Sequence, residues 1–211
     1  MTDSDEREAQ ATAAAAVRRL GHALVARQLD EQLLHNITET LSGLSDHVEA
    51  APTQRRLPNV ANAFYQPPTK DSSRFEKSLF RESIISGDLN ALGVGADVWS
   101  EDDVAVMEVV LGPAFEGAPG RSHGGIVAAL IDETYGIVLA IHGLAAYTGR
   151  LDVVYRAGTP VGEPVTCRCW LERQEGRKLF MRGEVKAGTV LCATSEAVFI
   201  VVDPAAFIDP E

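Results

Sequence analysis

The stretch GGIVAALIDETYGIVLAIH, residues 124–142, constrains this chain more than any other. Ile126, Val127, Leu130, Ile131, Ile137, Val138, Leu139 and Ile141 point nearly all round a helical wheel, and a helix without a wet face has to be buried. The rest of the fold must therefore wrap it. No apolar run approaches the roughly 20 residues that a membrane span needs, so the helix is expected at the centre of a soluble domain.

The segments available for wrapping follow it. Residues 147–156, 164–172, 178–187 and 189–202 alternate or run β-branched, with turn signals at TPVGEP, RQEG and KAGT between them. They are expected to form a meander of four antiparallel neighbours. Val165, Cys167, Cys169 and Leu171 share one face of the second, against Thr166, Arg168, Trp170 and Glu172, the pattern of a sheet with one side in the core. Upstream, DVWSEDDVAVMEVVLGP reads as two more strands, with Ala105, Met107, Val109 and Leu111 opposite Val104, Val106, Glu108 and Val110. Strands, one apolar helix, then strands predict an α+β domain in which a curved antiparallel sheet wraps one long hydrophobic central helix.

Before this domain, residues 7–48 have apolar positions at helical spacing (Val17, Leu20, Leu24), and residues 51–71 carry four prolines. The expected organisation is a helical extension and Pro-rich arm over 1–80, then the main domain over 81–211, with regular structure resuming just after residue 80.

Thirty acidic against 19 basic residues give a net charge of -11, which repels nucleic acid and anionic membrane surfaces and leaves room only for a local basic patch on a small anion. The three cysteines match neither a disulfide framework nor a four-ligand zinc site and are expected to be small buried apolar residues, with no metal bound. The N-terminal MTDSDEREAQ lacks a signal-peptide layout, so a cytoplasmic location is expected.

Two features carry chemistry. His123, Gly124 and Gly125 stand where a glycine-rich loop, FEGAPGRSHGG, becomes helix, so unpaired amides and the positive end of the dipole meet a backbone that a carbonyl can approach closely. Asp132 is a carboxylate on an apolar helix, costly unless paired or placed for work. Nine residues separate it from His123, roughly 12 to 13 Å along the helix. It cannot reach a carbonyl held at its own helix's N-terminus, so joint action requires the Asp of one subunit to face the His-Gly-Gly of another. Glu133, about 100° away, reads as an ordinary edge carboxylate, although an exchange of roles with Asp132 stays open.

HGGIVAALID, then Thr148 sixteen residues after the Asp in YTGRLDVVYR, then EGRKLFMRGEV, resembles the hotdog-fold acyl-CoA thioesterases, in particular the phenylacetyl-CoA thioesterase type and its long-chain relatives. The similarity covers about residues 81–203. The resemblance implies Asp132 as general base or nucleophile, Gly124 or Gly125 amides polarising the thioester carbonyl, His123 shaping that hole and Thr148 positioning water. It implies contact between coenzyme A and the strand of Arg177, Lys178, Leu179, Phe180 and Arg182, with Arg156 and Arg173 as weaker candidates. It also implies a homodimer or dimer of dimers that shares its sites, with no cofactor beyond the coenzyme A of the substrate. Alternation places Thr148 on a polar face with Arg150 and Asp152. Some relatives carry a polar amide side chain where this chain has Gly117, so its part falls to another group, for which Glu116 is the candidate. The competing readings are a hotdog acyl-CoA hydratase, which needs a His aligned with an acid, and a non-catalytic acyl-CoA-binding scaffold whose helical extension recruits a partner.

Overall fold

The computed structural model describes residues 3–53, 68–72 and 81–203; most of the expected Pro-rich arm lies outside them. Two helices lead, α1 (Asp3–Ala26) and α2 (Glu31–Glu49), the second capped by Asp30, whose Oδ1 accepts the Leu33 amide at 2.7 Å. Strands β1 (Asp97–Glu101) and β2 (Val104–Val110) precede the apolar helix α3 (Gly124–Ile141). Strands β3 (Ala146–Tyr155), β4 (Pro164–Glu175), β5 (Lys178–Ala187) and β6 (Val190–Val201) complete one antiparallel sheet in the order β1-β2-β4-β5-β6-β3. A six-stranded sheet packed on one central helix is the hotdog arrangement expected from the sequence.

Three expectations are corrected. The last four strands are not one meander: β4, β5 and β6 are consecutive neighbours, but β3 pairs with β6 at the far edge. Helix α3 spans the sheet between β2 and β3, so the chain leaves it at the opposite edge, and 156–163 returns it to β4 between β2 and β5. Regular structure resumes at Asp97, because residues 81–96 form turns tied by Val94 N–H to Ile84 O (2.8 Å), Ala96 N–H to Ile85 O (3.0 Å) and an Arg81 to Asp88 ion pair (2.9 Å). Finally, α3 is not enclosed on all sides. Val127, Leu130, Ile131, Thr134, Tyr135, Ile137, Val138 and Leu139 are buried, but the flank carrying Gly125, Ala128, Asp132 and Gly136 stays accessible. Against the expectation that no apolar run approaches a membrane span, α3 is long and apolar enough to be one by length and composition, yet it is the core helix of this sheet, packed chiefly on β4 and β2.

The core closes where α3 crosses β5. The Tyr135 hydroxyl lies 2.7 Å from Ser195 Oγ, the partner a buried phenol requires, and burial pushes its ionisation far above the ordinary range. It reaches Ser195 across Gly183, where a β-carbon would stand 2.6 Å from Cys169 Sγ and 2.8 Å from Ser195 Oγ. Gly183→Ala is therefore expected to destabilise the fold by about 1 to 3 kcal/mol through overpacking, read as a lower denaturant midpoint with an unchanged slope. All three cysteines are free and buried, and burial raises the Cys169 thiol well above its usual value.

Candidate active site

The loop before α3 is a set of tight turns that deliver His123 to the helix N-terminus. Glu116 Oε1 accepts the Gly120 amide at 2.5 Å, Gly117 N–H donates to Arg121 O at 2.8 Å, and Ser122 N–H donates to Thr159 O at 2.8 Å. The Glu116 carboxylate, the candidate to stand in for the missing amide, closes its own turn through Oε1. Gly117 has no room for an amide side chain, since a β-carbon there would meet His123 Cα at 2.9 Å.

His123 is the N-cap of α3 with extended backbone (φ -60°, ψ 134°). Its own amide donates to Phe115 O at 2.8 Å, and its Nδ1 accepts the Gly125 amide at 3.0 Å. Gly125 N–H is thereby occupied, and among the described residues the Gly124 N–H has no acceptor. The Gly124 carbonyl in turn accepts the Tyr155 hydroxyl at 2.7 Å. Beside it lies an open cleft of about 260 Å³ lined by Ser122, Gly124, Val127, Tyr155, Arg156 and Thr159. Among the described residues no hydrogen bond or ion pair engages the Arg156 guanidinium, so a weak candidate from sequence stands at the amide-rich end of α3 with its charge uncommitted.

Two turns along α3, half-buried Asp132 accepts a hydrogen bond from Thr148 Oγ1 at 3.0 Å through Oδ1. Alternation from Arg150 and Asp152 predicts the opposite face for Thr148. A β-bulge between Thr148 and Arg150 reverses the phase: Thr148 pairs with buried Phe199 and Leu151 with buried Ala197, so both point toward the helix. Neither propensity nor pattern marks the bulge, apart from Gly149 itself. Glu133 has a separate job, with Oε1 accepting the hydroxyls of Ser83 (2.7 Å) and Ser86 (2.5 Å) and tying residues 81–96 to α3. Glu133 and Asp132 thus hold different partners.

The basic strand fares unevenly. Leu179, expected at the coenzyme A contact, is fully buried in the core, in one row with Phe199 and Thr148. Phe180 lies under the Arg173 guanidinium at 3.8 Å, and Arg173 is paired with Glu172 and Glu175. Arg182 is shared by Glu172 (2.9 Å) and Glu196 (3.4 Å), while Arg177 Nε donates to Val201 O at 3.0 Å. Lys178 is exposed and has no partner among the described residues. Tyr155, Ser83 and Ser86 escape sequence reasoning because their partners lie 31 to 50 residues away with no local signature.

One chain thus brings together Asp132 with Thr148, and His123 with Gly124 and Tyr155, but leaves the two groups about 12 Å apart along α3. Among the described residues no group of three or more His, Cys, Asp or Glu is arranged to hold a metal.

Residues 120–193 match the Thioesterase superfamily. The acyl-coenzyme A thioesterase THEM4 of Xenopus laevis is 30% identical over 162 residues, covering 72% of this chain and 69% of that protein. The acyl-coenzyme A thioesterase THEM5 of Mus musculus is 35% identical over 91 residues, so this chain spans only 37% of that relative's length. A crystal structure of a thioesterase superfamily protein matches with a TM-score of 0.77 at 27% identity, covering 90% of each chain.

Proposed function

Because the chain belongs to the thioesterase superfamily, we propose that it hydrolyses acyl-CoA thioesters to the free acid and coenzyme A, at sites completed by a second copy of itself. The observation that carries this reading is the placement of the two groups at opposite ends of β3. Thr148, beside Asp132, opens the strand, and Tyr155, on the Gly124 carbonyl, closes it. The outer edge of β3 has no strand beside it in the described chain. An exposed edge of ten residues invites pairing. Antiparallel pairing of β3 with its copy about a two-fold axis sets the start of one strand against the end of the other. Asp132 and Thr148 of one subunit then face Gly124 of its partner, and the accessible Gly125, Ala128, Asp132 and Gly136 flank of α3 is covered. Small residues along that flank permit close approach.

In such a site the substrate carbonyl lies against the Gly124 N–H at the positive end of α3, where the developing oxyanion is stabilised; one such donor is commonly worth about 10² to 10³ in rate. Asp132, held by Thr148, removes a proton from water as the oxygen attacks the carbonyl carbon. Collapse of the tetrahedral intermediate breaks the C–S bond and expels the thiolate, whose conjugate acid has a pKa of about 8 to 9, so no strong acid is required. The acyl group is a fatty or aryl chain, and Arg156, Lys178 and Arg177 supply cations for the nucleotide phosphates.

Among the described residues the hydratase reading finds no His aligned with an acid: Glu133 is held by two serines, and His142 caps the far end of α3. Short, medium, long and aromatic acyl-CoAs are expected to include at least one that releases thiol on incubation with the protein. Saturable binding with no thiol from any of them would support the scaffold, and hydration of an enoyl-CoA without thiol would support the hydratase; either overturns the proposal.

A further inference from the structure

Helix α1 lies outside the hotdog sheet, yet one of its faces grips both turns that hold α3. His22 and Arg18, four residues apart, lie on that face. The His22 imidazole occupies the space in which any side chain at position 112 would stand, so Gly112 is what admits it. Its Nδ1 accepts the Ala114 amide at 3.1 Å, and the ring meets Phe115 edge-on at 5.2 Å. The next carbonyl, Phe115 O, holds the His123 amide at 2.8 Å, so this brace ends on the N-cap of α3. Arg18 makes the second brace, with Nη1 donating to Asn90 O at 2.5 Å and more weakly to Asp88 O at 3.5 Å. It pins the 81–96 turns, whose Ser83 and Ser86 grasp Glu133, the residue beside Asp132.

We infer that α1 is a clamp that sets both half-sites of α3, with His22 and Arg18 as positioning residues. Their effect on turnover rests on the hydrolase reading above; the brace itself does not. Apolar contact, being non-directional, would not by itself fix the turns that α1 touches. Hydrogen bonds from α1 to backbone groups of the two site-bearing turns do something more specific, fixing those turns in register with the sheet. An oxyanion donor has to stand within about 0.5 Å of its productive position, and a displacement of about 1 Å costs up to 10²-fold in rate. The brace needs neutral His22, because a protonated ring has no acceptor. Burial first, and then neighbouring Arg18, hold the His22 pKa below its ordinary 6.5, while Pro113, Ala114 and Phe115 opposite carry no charge. A lowered pKa means that the contribution is whole above pH 6.5 and is lost as pH falls through the depressed value.

The test is His22→Leu and His22→Asn in the full chain, with kcat and KM from thiol release and amide hydrogen exchange over 113–126. His22→Leu fills the space but removes the acceptor, so kcat is expected to fall about tenfold with KM changed less than about twofold. Exchange at 113–126 quickens, while 31–49 is unaffected. His22→Asn keeps an acceptor near the Nδ1 position and is expected to recover most of kcat, with a flatter acid limb than the parent. Unchanged kcat and unchanged protection in His22→Leu, or no recovery in His22→Asn, would overturn the clamp. A parent protein that releases no thiol would sink the hydrolase reading alone, and the exchange measurement would still decide the brace.

Discussion

Asp132→Asn is expected to lower kcat for acyl-CoA hydrolysis by about 10² to 10⁴, the range for removing a positioned general base, with KM little changed. Asparagine is nearly isosteric, and its carbonyl oxygen still accepts the Thr148 hydroxyl that Asp132 Oδ1 accepts at 3.0 Å. Geometry survives and only proton acceptance is lost. Stability should move the other way. A half-buried carboxylate on the mostly apolar α3, with a single hydroxyl donor among the described residues, costs solvation that one neutral donor does not return. The substitution is therefore expected to be neutral or stabilising by about 0.5 to 2 kcal/mol, the trade between function and stability at active sites. A structural carboxylate would behave oppositely, with kcat on the folded protein retained and the melting temperature lowered. Activity above about a tenth of the parent would remove Asp132 from the role of base.

How far the sequence foretold this geometry depends on the range of the forces involved. The apolar run of α3 and the alternation in β4 are local patterns with one dominant cause, burial, and the elements Gly124–Ile141 and Pro164–Glu175 lie where those patterns put them. Lys178–Ala187 is bounded by turn residues on both sides and coincides with the strand. Strand order is a different kind of fact. Nothing within residues 146–155 says that β6 rather than β4 lies beside them, because the decision is made by the path of a helix across the sheet. Thr148 shows the sharper limit. Side-chain direction along a strand is a parity, and one extra residue at Gly149 inverts it, so a correct strand assignment still gave the wrong face. The Glu133 anchor to Ser83 and Ser86 and the His22 contact with Ala114 join residues 47 to 92 positions apart through single side chains, which leave no periodic trace. Asp132 stands out in the sequence for the opposite reason: an acid in an apolar run violates the local pattern.

The second large effect concerns where the two halves of the site meet. Gly124→Val should crowd the Tyr155 ring, whose atoms would stand 3.3 Å from the new β-carbon, and screen the adjacent N–H from a carbonyl. A loss of about 10² in kcat is expected, the weight of one oxyanion donor. Mixed with Asp132→Asn, the result depends on geometry alone. If Asp132 serves the partner's Gly124, a mixed dimer carries both lesions in one site and neither in the other. One intact site in two restores about half the parent rate per mixed dimer, and random exchange of subunits yields about a quarter overall. If each chain used its own Gly124, every site in the mixture would carry one lesion and no activity would return. The helix argues for the first outcome, because the roughly 12 Å of α3 between Gly124 and Asp132 exceeds what one carboxylate and one water can span. Dimers shown to be mixed, by tagging each chain differently and purifying through both tags, yet inactive would refute the shared site. Such a result would leave the isolated chain with a base and an oxyanion donor that cannot act on the same carbonyl.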